Sequence, residues 1–161
     1  MDPFIIRFAT IADIDDMVGL LNQLFSLEQD FVPDDEKQRR GLVLFLEECG
    51  KHRCLLVADI FGRARGMVSA QILISTAEGS QCALMEDLVV DAAYRGRGLG
   101  RALLTAVEVQ MAKRGITRLQ LLVDMDNIPA FEFYKACLWQ QTRLICLRRY
   151  PGLSVNCSQN I

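Results

Sequence analysis

Histidine is nearly absent from this 161-residue sequence, which contains only His52. The six cysteines include no Cys-x-x-Cys pair, so the ligand types and spacings of common zinc sites are missing. A catalytic triad that relies on histidine would have to use His52. We therefore predict no metal ion, and we interpret most of the cysteines as buried thiols because they lie in apolar runs.

The sequence also lacks an apolar run of the roughly 20 residues that a membrane-spanning helix needs. No positively charged segment precedes an apolar stretch near the N-terminus, where a secretory signal would carry one. These absences predict a cytoplasmic protein with no membrane contact. The composition, with 51% hydrophobic and 24% charged residues, predicts a single domain over residues 1–161. Within it, residues 151–161 are expected to form a loosely held tail.

The sequence also has no excess of basic residues, since its net charge is −2. This balance argues against a nucleic-acid partner. Residues 1–50 hold eleven acids and four bases, whereas residues 51–161 hold nine acids and fourteen bases. The acidic first third is compatible either with solvated helix faces or with a functional role.

Apolar periodicity predicts strands and helices in a mixed order. A capping-box-like pair, Thr10 and Asp13, marks the first helix, and Asp34 or Asp35 can cap the second. Further helices are predicted from about Leu99 to Arg114 and from Pro129 to about Ala136. Strands are predicted at 4–8, 54–58, 67–74, 82–90 and 119–123, with a last strand pair between Trp139 and Tyr150. This order predicts a mixed α/β sheet covered by helices.

Three glycines alternate between a predicted strand and a predicted helix, in the segment 95–101, Arg-Gly-Arg-Gly-Leu-Gly-Arg. Glycine permits positive φ and close approach of a ligand to the backbone. Free N–H groups at a helix start bind anions, and the arginines add charge where phosphates would lie. A pyrophosphate is the expected occupant, although a purely structural glycine-rich turn is the alternative. The spacing matches neither Gly-x-Gly-x-x-Gly nor a nucleoside-triphosphate loop.

The segment 95–100 resembles the Arg/Gln-x-x-Gly-x-Gly/Ala signature of the GNAT superfamily of acyl-CoA N-acyltransferases. The stretch 6–10 followed by Asp13 is similar to the opening of that family. A block of Asn127, Ala130, Phe133 and Tyr134 resembles the pattern that follows its fifth strand. The resemblance extends over residues 4 to about 148.

Glu86-Asp87 precedes the fourth strand's apolar run, which is similar to diamine and glucosamine-6-phosphate acetyltransferases. The chain departs from the family at Leu138-Trp139, where Gly-Phe is common, and this puts the turn after the last helix in doubt. The resemblance implies a largely antiparallel sheet of six to seven strands, with about four flanking helices. Its fourth and fifth strands would run parallel and splay apart around acetyl-CoA.

The resemblance also implies which residues contact the acetyl-CoA co-substrate. The pantetheine arm would pair with the fourth strand, the pyrophosphate would lie on the glycine loop, and the block after the fifth strand would contact the cofactor farther along. The implied contacts are Leu88, Val89, Val90, Arg95, Gly96, Arg97, Gly98, Leu99, Gly100, Arg101, Asn127 and Ala130.

Two candidates carry the proton transfers that acetylation of an amine requires. Glu86 is the candidate base, directly or through water, although it could equally orient the acceptor's ammonium or be a solvated acid. Tyr134 is the candidate proton donor to the departing thiolate, with a packed core tyrosine as the alternative. Direct transfer is expected, because no base is visible beside a cysteine.

The acceptor site is implied to lie between the first two helices and their loop, with Phe25, Glu28, Phe31 and Glu86 as candidate contacts. The acids of this region favour a small cationic amine such as a polyamine or an aminoacyl amine. A peptide or protein acceptor is the alternative, as is a non-catalytic acyl-CoA-binding module. The presence of both Glu86 and Tyr134 argues against the last of these. A homodimer is possible, since dimers are common in the family.

Overall fold

Five strands and four α-helices make up the computed structural model, which describes residues 3–28 and 30–151. The strands are β1 (Ile5–Phe8), β2 (Arg53–Ile60), β3 (Arg63–Ser75), β4 (Ser80–Val90) and β5 (Leu119–Leu121). The helices are α1 (Ile14–Phe25), α2 (Asp35–Glu47), α3 (Leu99–Ala112) and α4 (Ile128–Ala136). Short 3₁₀ turns at Ile11–Asp13 and Ala92–Tyr94 precede α1 and the glycine loop. None of the described helices is long and apolar enough to cross a membrane.

The strands form one mixed sheet in the order β1-β2-β3-β4-β5. Neighbours from β1 to β4 are antiparallel, whereas β4 and β5 run parallel. The parallel ladder joins Ala83 to Leu119 and ends where Met85 pairs with Leu121. β4 continues to Val90 while its ladder with β5 has ended, so the two strands stop pairing partway along β4. The predicted parallel pair is confirmed.

Helices cover both faces of the sheet, which explains why β2 is apolar almost throughout. On one face Leu55 and Val57 pack in a cluster with α1 and Leu42 of α2. On the other face Leu56 and its same-facing neighbours pack against the buried stripe of α3. Because β2 alternates between two buried layers, it needs no polar face.

The predicted strand pair between Trp139 and Tyr150 is wrong, because residues 139–150 form no strand and the described sheet has five strands rather than six or seven. Leu144, Ile145 and Leu147 in this segment are each at least 80% exposed. An isolated two-stranded hairpin is marginal in water, so apolar residues form one only where a sheet edge or a helix covers them. β5, which forms this edge of the described sheet, has three residues with which a further strand could pair.

A buried ion-pair network joins β1, α1 and β2. The Arg7 guanidinium donates to both carboxylate oxygens of Asp13, at 2.8 and 2.7 Å, and to Asp59 Oδ2 at 2.7 Å. Asp13 also accepts from the backbone N–H of Thr10, which confirms the predicted capping box. The Arg7 hydrogen bond is the main cause that holds the pKa of Asp13 below its usual value.

We expect Asp13→Asn to lower the free energy of unfolding by about 2 kcal/mol at neutral pH, because a charged hydrogen-bond partner is lost. An acid with a lowered folded-state pKa stabilises above its unfolded pKa, and that contribution is lost as the pH falls through the folded pKa. The difference between wild type and variant should therefore shrink below about pH 4. Urea unfolding at neutral and acidic pH measures it.

Asp15→Asn is the matched control, because Asp15 pairs with Arg39 at 2.6 Å while its side chain is 84% exposed. Exposed pairs contribute roughly 0–1 kcal/mol, so this variant should lie close to wild type. Equal destabilisation by the two substitutions would contradict a special role for the buried network.

Candidate active site

A β-bulge in β4 lies beside the point where β4 and β5 stop pairing. Met67 of β3 pairs with Val89, whereas Ser69 pairs with Glu86, so β4 has one extra residue between these pairs. Asp87 occupies the bulge with φ +51°, a left-handed conformation that costs a non-glycine residue about 1 kcal/mol. Bulges redirect side chains and are frequent at active sites.

The bulge places the Asp87 carboxylate against a buried hydroxyl. Ser69 Oγ lies 3.1 Å from Asp87 Oδ2 and 3.1 Å from the carbonyl oxygen of Glu86. Ser69 is itself 2% exposed, so this contact lies inside the protein. The neighbouring Glu86 side chain is exposed, and its Oε2 accepts from Gln71 Nε2 at 3.1 Å. The two adjacent carboxylates therefore have different environments.

A cavity of about 350 Å³ opens in front of these acids. Ser69, Gln71, Glu86 and Asp87 form a polar side of the cavity, while α1, the loop after it and α2 supply most of the rest. Its other lining residues are Leu21, Phe25, Phe31, Val32, Asp34, Lys37, Gln38, Gly41, Leu42, Phe45, Leu55 and Met67. The cavity is thus an apolar chamber with carboxylates along one side.

Burial and neighbouring acids change the protonation of this site. Burial, together with the charges of Glu86 and Glu28, raises the pKa of Asp87 to about 6, while the Ser69 hydrogen bond acts in the opposite direction. Burial likewise raises the pKa of Glu28, with added repulsion from Asp124 and Asp30. A carboxyl group with a pKa near 6 is ionised at neutral pH and is basic enough to accept a proton.

Tyr134 lies on α4, packed between two aromatic rings. Its ring centroid is 5.3 Å from that of Phe133 and 5.8 Å from that of Trp139. Burial raises the pKa of Tyr134 to about 12, with smaller contributions from Cys137 and Glu28. The charge of Glu28 is a small contribution to the raised pKa of both Tyr134 and Asp87. The phenol stays protonated over the whole physiological pH range.

Three of the four residues predicted to contact the acceptor line the cavity, and the fourth does not. Phe25, Phe31 and Glu86 line the cavity, and the two aromatic centroids are 5.2 Å apart. Glu28 is not a lining residue, although its charge reaches Asp87. The Arg148 guanidinium, which the sequence did not indicate, lies 4.8 Å from the centroid of the Phe31 ring.

The glycine loop has the conformation that its sequence predicts. Gly96 and Gly98 have φ of +73° and +86°, and Gly98 is the left-handed residue that precedes α3. The first N–H groups of α3, at 99–101, therefore point out of the helix start with no intrahelical partner. This is the arrangement that binds a phosphate group.

Several predicted cofactor residues have structural contacts of their own. Arg95 Nε donates to the Val90 carbonyl, and Arg97 donates to the Ala93 carbonyl, so both side chains brace the loop. The side chains of Leu99 and Val89 are buried in the core, which leaves only their backbones for a cofactor.

The remaining predicted contacts are more open or cap α4. Arg101 and Gly96 are exposed, while Leu88, Val90 and Gly100 are partly buried. Asn127 caps α4 by accepting from the N–H of Ala130 at 3.2 Å. This bond engages the Asn127 oxygen and leaves its amide nitrogen for other contacts.

Sequence reasoning did not indicate that Asp87, Ser69 and Gln38 line the cavity. Asp87 was visible in the Glu86-Asp87 pair, but its orientation depends on the bulge. Gln38 stands four residues before Leu42 on the apolar stripe of α2, and a polar residue in that stripe was the available signal. Among the described residues, no group of three His, Cys, Asp or Glu side chains could hold a metal ion.

The parallel strands that stop pairing and the glycine loop at a helix start give the arrangement that the family resemblance implied. A model of the acetyltransferase (GNAT) family matches residues 21–138. An uncharacterized N-acetyltransferase of Methanocaldococcus jannaschii is 27% identical over 143 residues, which cover 88% of this chain and 63% of that protein. This chain belongs to the GNAT acetyltransferase family.

Solved structures share the fold. A transcriptional regulator from Bacillus halodurans C-125 superimposes with a TM-score of 0.80 at 22% identity, covering 92% of this chain and 100% of that one. An aminoglycoside N-acetyltransferase, AAC(6')-Iy in complex with CoA, has a TM-score of 0.79 at 19% identity, covering 94% and 97%. At these identities the likeness describes the fold alone, so the diamine or amino-sugar subset stays a prediction.

Proposed function

We propose that this protein transfers the acetyl group of acetyl-CoA to a primary amine bound in the acidic cavity. The observation that carries the proposal is the Asp87 bulge, which puts a carboxylate of raised pKa where β4 and β5 part. A carboxylate at this place can take the proton that an ammonium must lose before its nitrogen attacks. A module that only bound acyl-CoA would have no use for such a base.

The residues present fit acetyl-CoA as the acyl donor, which supplies an activated thioester. The N–H groups at the start of α3 would hold its pyrophosphate, with Arg101 exposed beside them. The end of β4 beyond Met85, which has no β5 partner among the described residues, would pair with the pantetheine arm. A backbone N–H there would stabilise the oxyanion that forms on the thioester carbonyl.

The two adjacent carboxylates would have different roles toward the acceptor amine. Glu86 is exposed at the cavity and would attract and orient the ammonium, one of the roles that its sequence position allows. Asp87 would accept the proton, because its buried carboxylate has the raised pKa. Attack by the amine nitrogen forms the C–N bond, and collapse of the resulting oxyanion breaks the C–S bond. The Tyr134 hydroxyl would donate a proton to the departing thiolate, and the second proton lost by the nitrogen would return to the Tyr134 oxygen through solvent.

The acceptor is expected to be small and cationic. Asp34, Glu86 and Asp87 line the cavity, whereas Lys37 is its single lining cation among the described residues. Lys37 Nζ is 3.0 Å from Asp34, which neutralises that pair and leaves the other two acids facing the ligand. This balance favours an ammonium and disfavours phosphorylated or carboxylated acceptors.

The proposed function is tested by calorimetric titration of acetyl-CoA, together with release of free CoA in the presence of a panel of primary amines. Binding of acetyl-CoA and amine-dependent release are expected. Absence of acetyl-CoA binding by the wild-type protein would overturn the proposal.

Gly98→Ala is expected to weaken acetyl-CoA binding by about tenfold, since a Cβ in the left-handed region costs roughly 1–2 kcal/mol and distorts the loop. Gly62→Ala is the matched control, because Gly62 has φ +77° in the β2–β3 turn and, like Gly98, has open space around it. The control should share the loss of stability and keep the affinity. Equal affinities in the two variants would contradict a phosphate-binding role for the loop.

A further inference from the structure

Gln38 is a polar side chain buried in the acceptor cavity with no protein partner. It is 7% exposed, and neither its amide oxygen nor its amide nitrogen makes a hydrogen bond to a described residue. It lines the cavity from α2, on the same helix face as Leu42. Leaving both ends of a buried amide unsatisfied costs a folded protein stability. Native structures keep such groups chiefly where something else satisfies them.

The surroundings of Gln38 give no structural reason for an amide. Its lining neighbours on α2 are Lys37, whose ammonium group pairs with Asp34, and then Gly41 and Leu42, with Phe45 one turn later. A leucine or methionine at this position would continue the apolar stripe at no polar cost. The carboxamide can both donate and accept, so its natural complement is a ligand group that also does both.

The rest of the cavity wall limits the chemistry of that ligand. One wall of the cavity is apolar and consists of Phe25, Phe31, Phe45, Leu21 and Met67. A polyhydroxylated sugar or a chain of several ammonium groups has little apolar surface to pack against it. A volume of about 350 Å³ is at the small end of ligand cavities. Glu86 and Asp87 disfavour a free carboxylate in the cavity, and the Lys37 ammonium next to Gln38 is already paired with Asp34, so an uncharged group best fits Gln38.

We propose that the acceptor is an amphipathic primary amine, with an apolar body against the aromatic wall and a neutral amide group paired with Gln38. Amides of apolar amino acids are the simplest members of this class. The inference rests on the proposed function and narrows its acceptor: polyamines and aminoglycosides carry the ammonium but lack the apolar body. Gln38 is a specificity residue in this scheme and takes no part in proton transfer.

The experiment compares acceptors in pairs, with wild-type protein and Gln38→Met. Phenylalaninamide and leucinamide carry the amide, phenethylamine and isopentylamine lack it, and spermidine, kanamycin and phenylalanine test the other classes. Wild type should acetylate the amino-acid amides with kcat/KM about tenfold above the matched simple amines, the factor expected for a good hydrogen bond. Gln38→Met should remove that advantage, so that each amino-acid amide and its matched simple amine have the same kcat/KM.

Two controls separate specificity from folding. Gln38→Met should raise the midpoint of urea unfolding, because a buried unsatisfied amide is replaced by an apolar side chain of similar length. A structural hydrogen-bonding role for Gln38 would instead lower it. Acetyl-CoA affinity should not change, since α2 and α3 pack on opposite faces of the sheet and the glycine loop leads into α3.

The outcomes distinguish this inference from the proposed function. Preference for spermidine, kanamycin or phenylalanine over the amino-acid amides would overturn the acceptor class and keep the acetyltransferase. Acetyl-CoA binding without turnover of any amphipathic amine would also overturn the proposed acceptor class. An amide advantage that survives Gln38→Met would overturn the role of Gln38. Failure to bind acetyl-CoA at all would overturn the proposed function itself.

Discussion

Asp87→Asn is expected to lower kcat/KM for the amine by about 10²–10³-fold at neutral pH, the range that loss of a general base produces. Wild-type kcat/KM should fall as the pH drops below about 6, because the raised pKa of Asp87 leaves the carboxyl protonated there. The variant should lack this acidic limb. Steady-state kinetics measured from pH 5 to pH 9 test both effects.

The same substitution should stabilise the protein while it removes activity. An acid whose pKa is raised on folding weakens the folded state as the pH rises through its unfolded and folded pKa values. Asparagine removes that penalty and also tolerates the left-handed conformation at φ +51°. A higher free energy of unfolding together with lower kcat/KM would exclude misfolding as the cause.

Glu86→Gln is the matched control for the division of labour between the two carboxylates. Glu86 raises the pKa of Asp87, so its neutralisation should move the acidic limb of kcat/KM to lower pH. Its main effect should be a higher KM for the amine, because its proposed role is to orient the ammonium. If Glu86→Gln abolishes the limb and Asp87→Asn keeps it, the base is Glu86, as the sequence alone indicated.

Local chain chemistry was sufficient to predict the glycine loop, whereas the parallel pair of β4 and β5 was implied only by the family resemblance. Gly96 and Gly98 alternate with arginine at a strand-to-helix junction, and residue type alone accounts for their positive φ. The Thr10–Asp13 capping box is local for the same reason. These features need no information about distant contacts, so the sequence patterns identify them.

The features that the sequence did not reveal depend on pairing between distant segments. The orientation of Asp87 follows from a register shift between β3 and β4, which no pattern within β4 encodes. The segment Trp139–Tyr150 has apolar residues suited to a strand, yet strand formation requires a partner edge. Gln38 became informative only when the cavity showed that its amide is buried.

Tyr134→Phe is expected to lower kcat by about 10- to 100-fold, because the departing thiolate loses its proton donor. With a pKa of about 12, Tyr134 is protonated at every pH at which the enzyme would be assayed. The aromatic ring is retained, so the packing against Phe133 and Trp139 should persist. The affinity for acetyl-CoA should change little, and a kcat effect without a KM effect marks a transition-state role.

Tyr94→Phe is the matched control, because it also removes a phenolic hydroxyl but at a tyrosine with no proposed catalytic role. Tyr94 lies before the glycine loop, where the guanidinium groups of Arg65 and Arg97 are 5.3 and 5.0 Å from its ring centroid. Those contacts need the ring and not the hydroxyl, so kcat and acetyl-CoA affinity should match wild type. Equal kcat in Tyr134→Phe and Tyr94→Phe would leave Tyr134 as a packing residue. A loss confined to Tyr134→Phe would assign the proton donor, since stacking and volume are conserved in both variants.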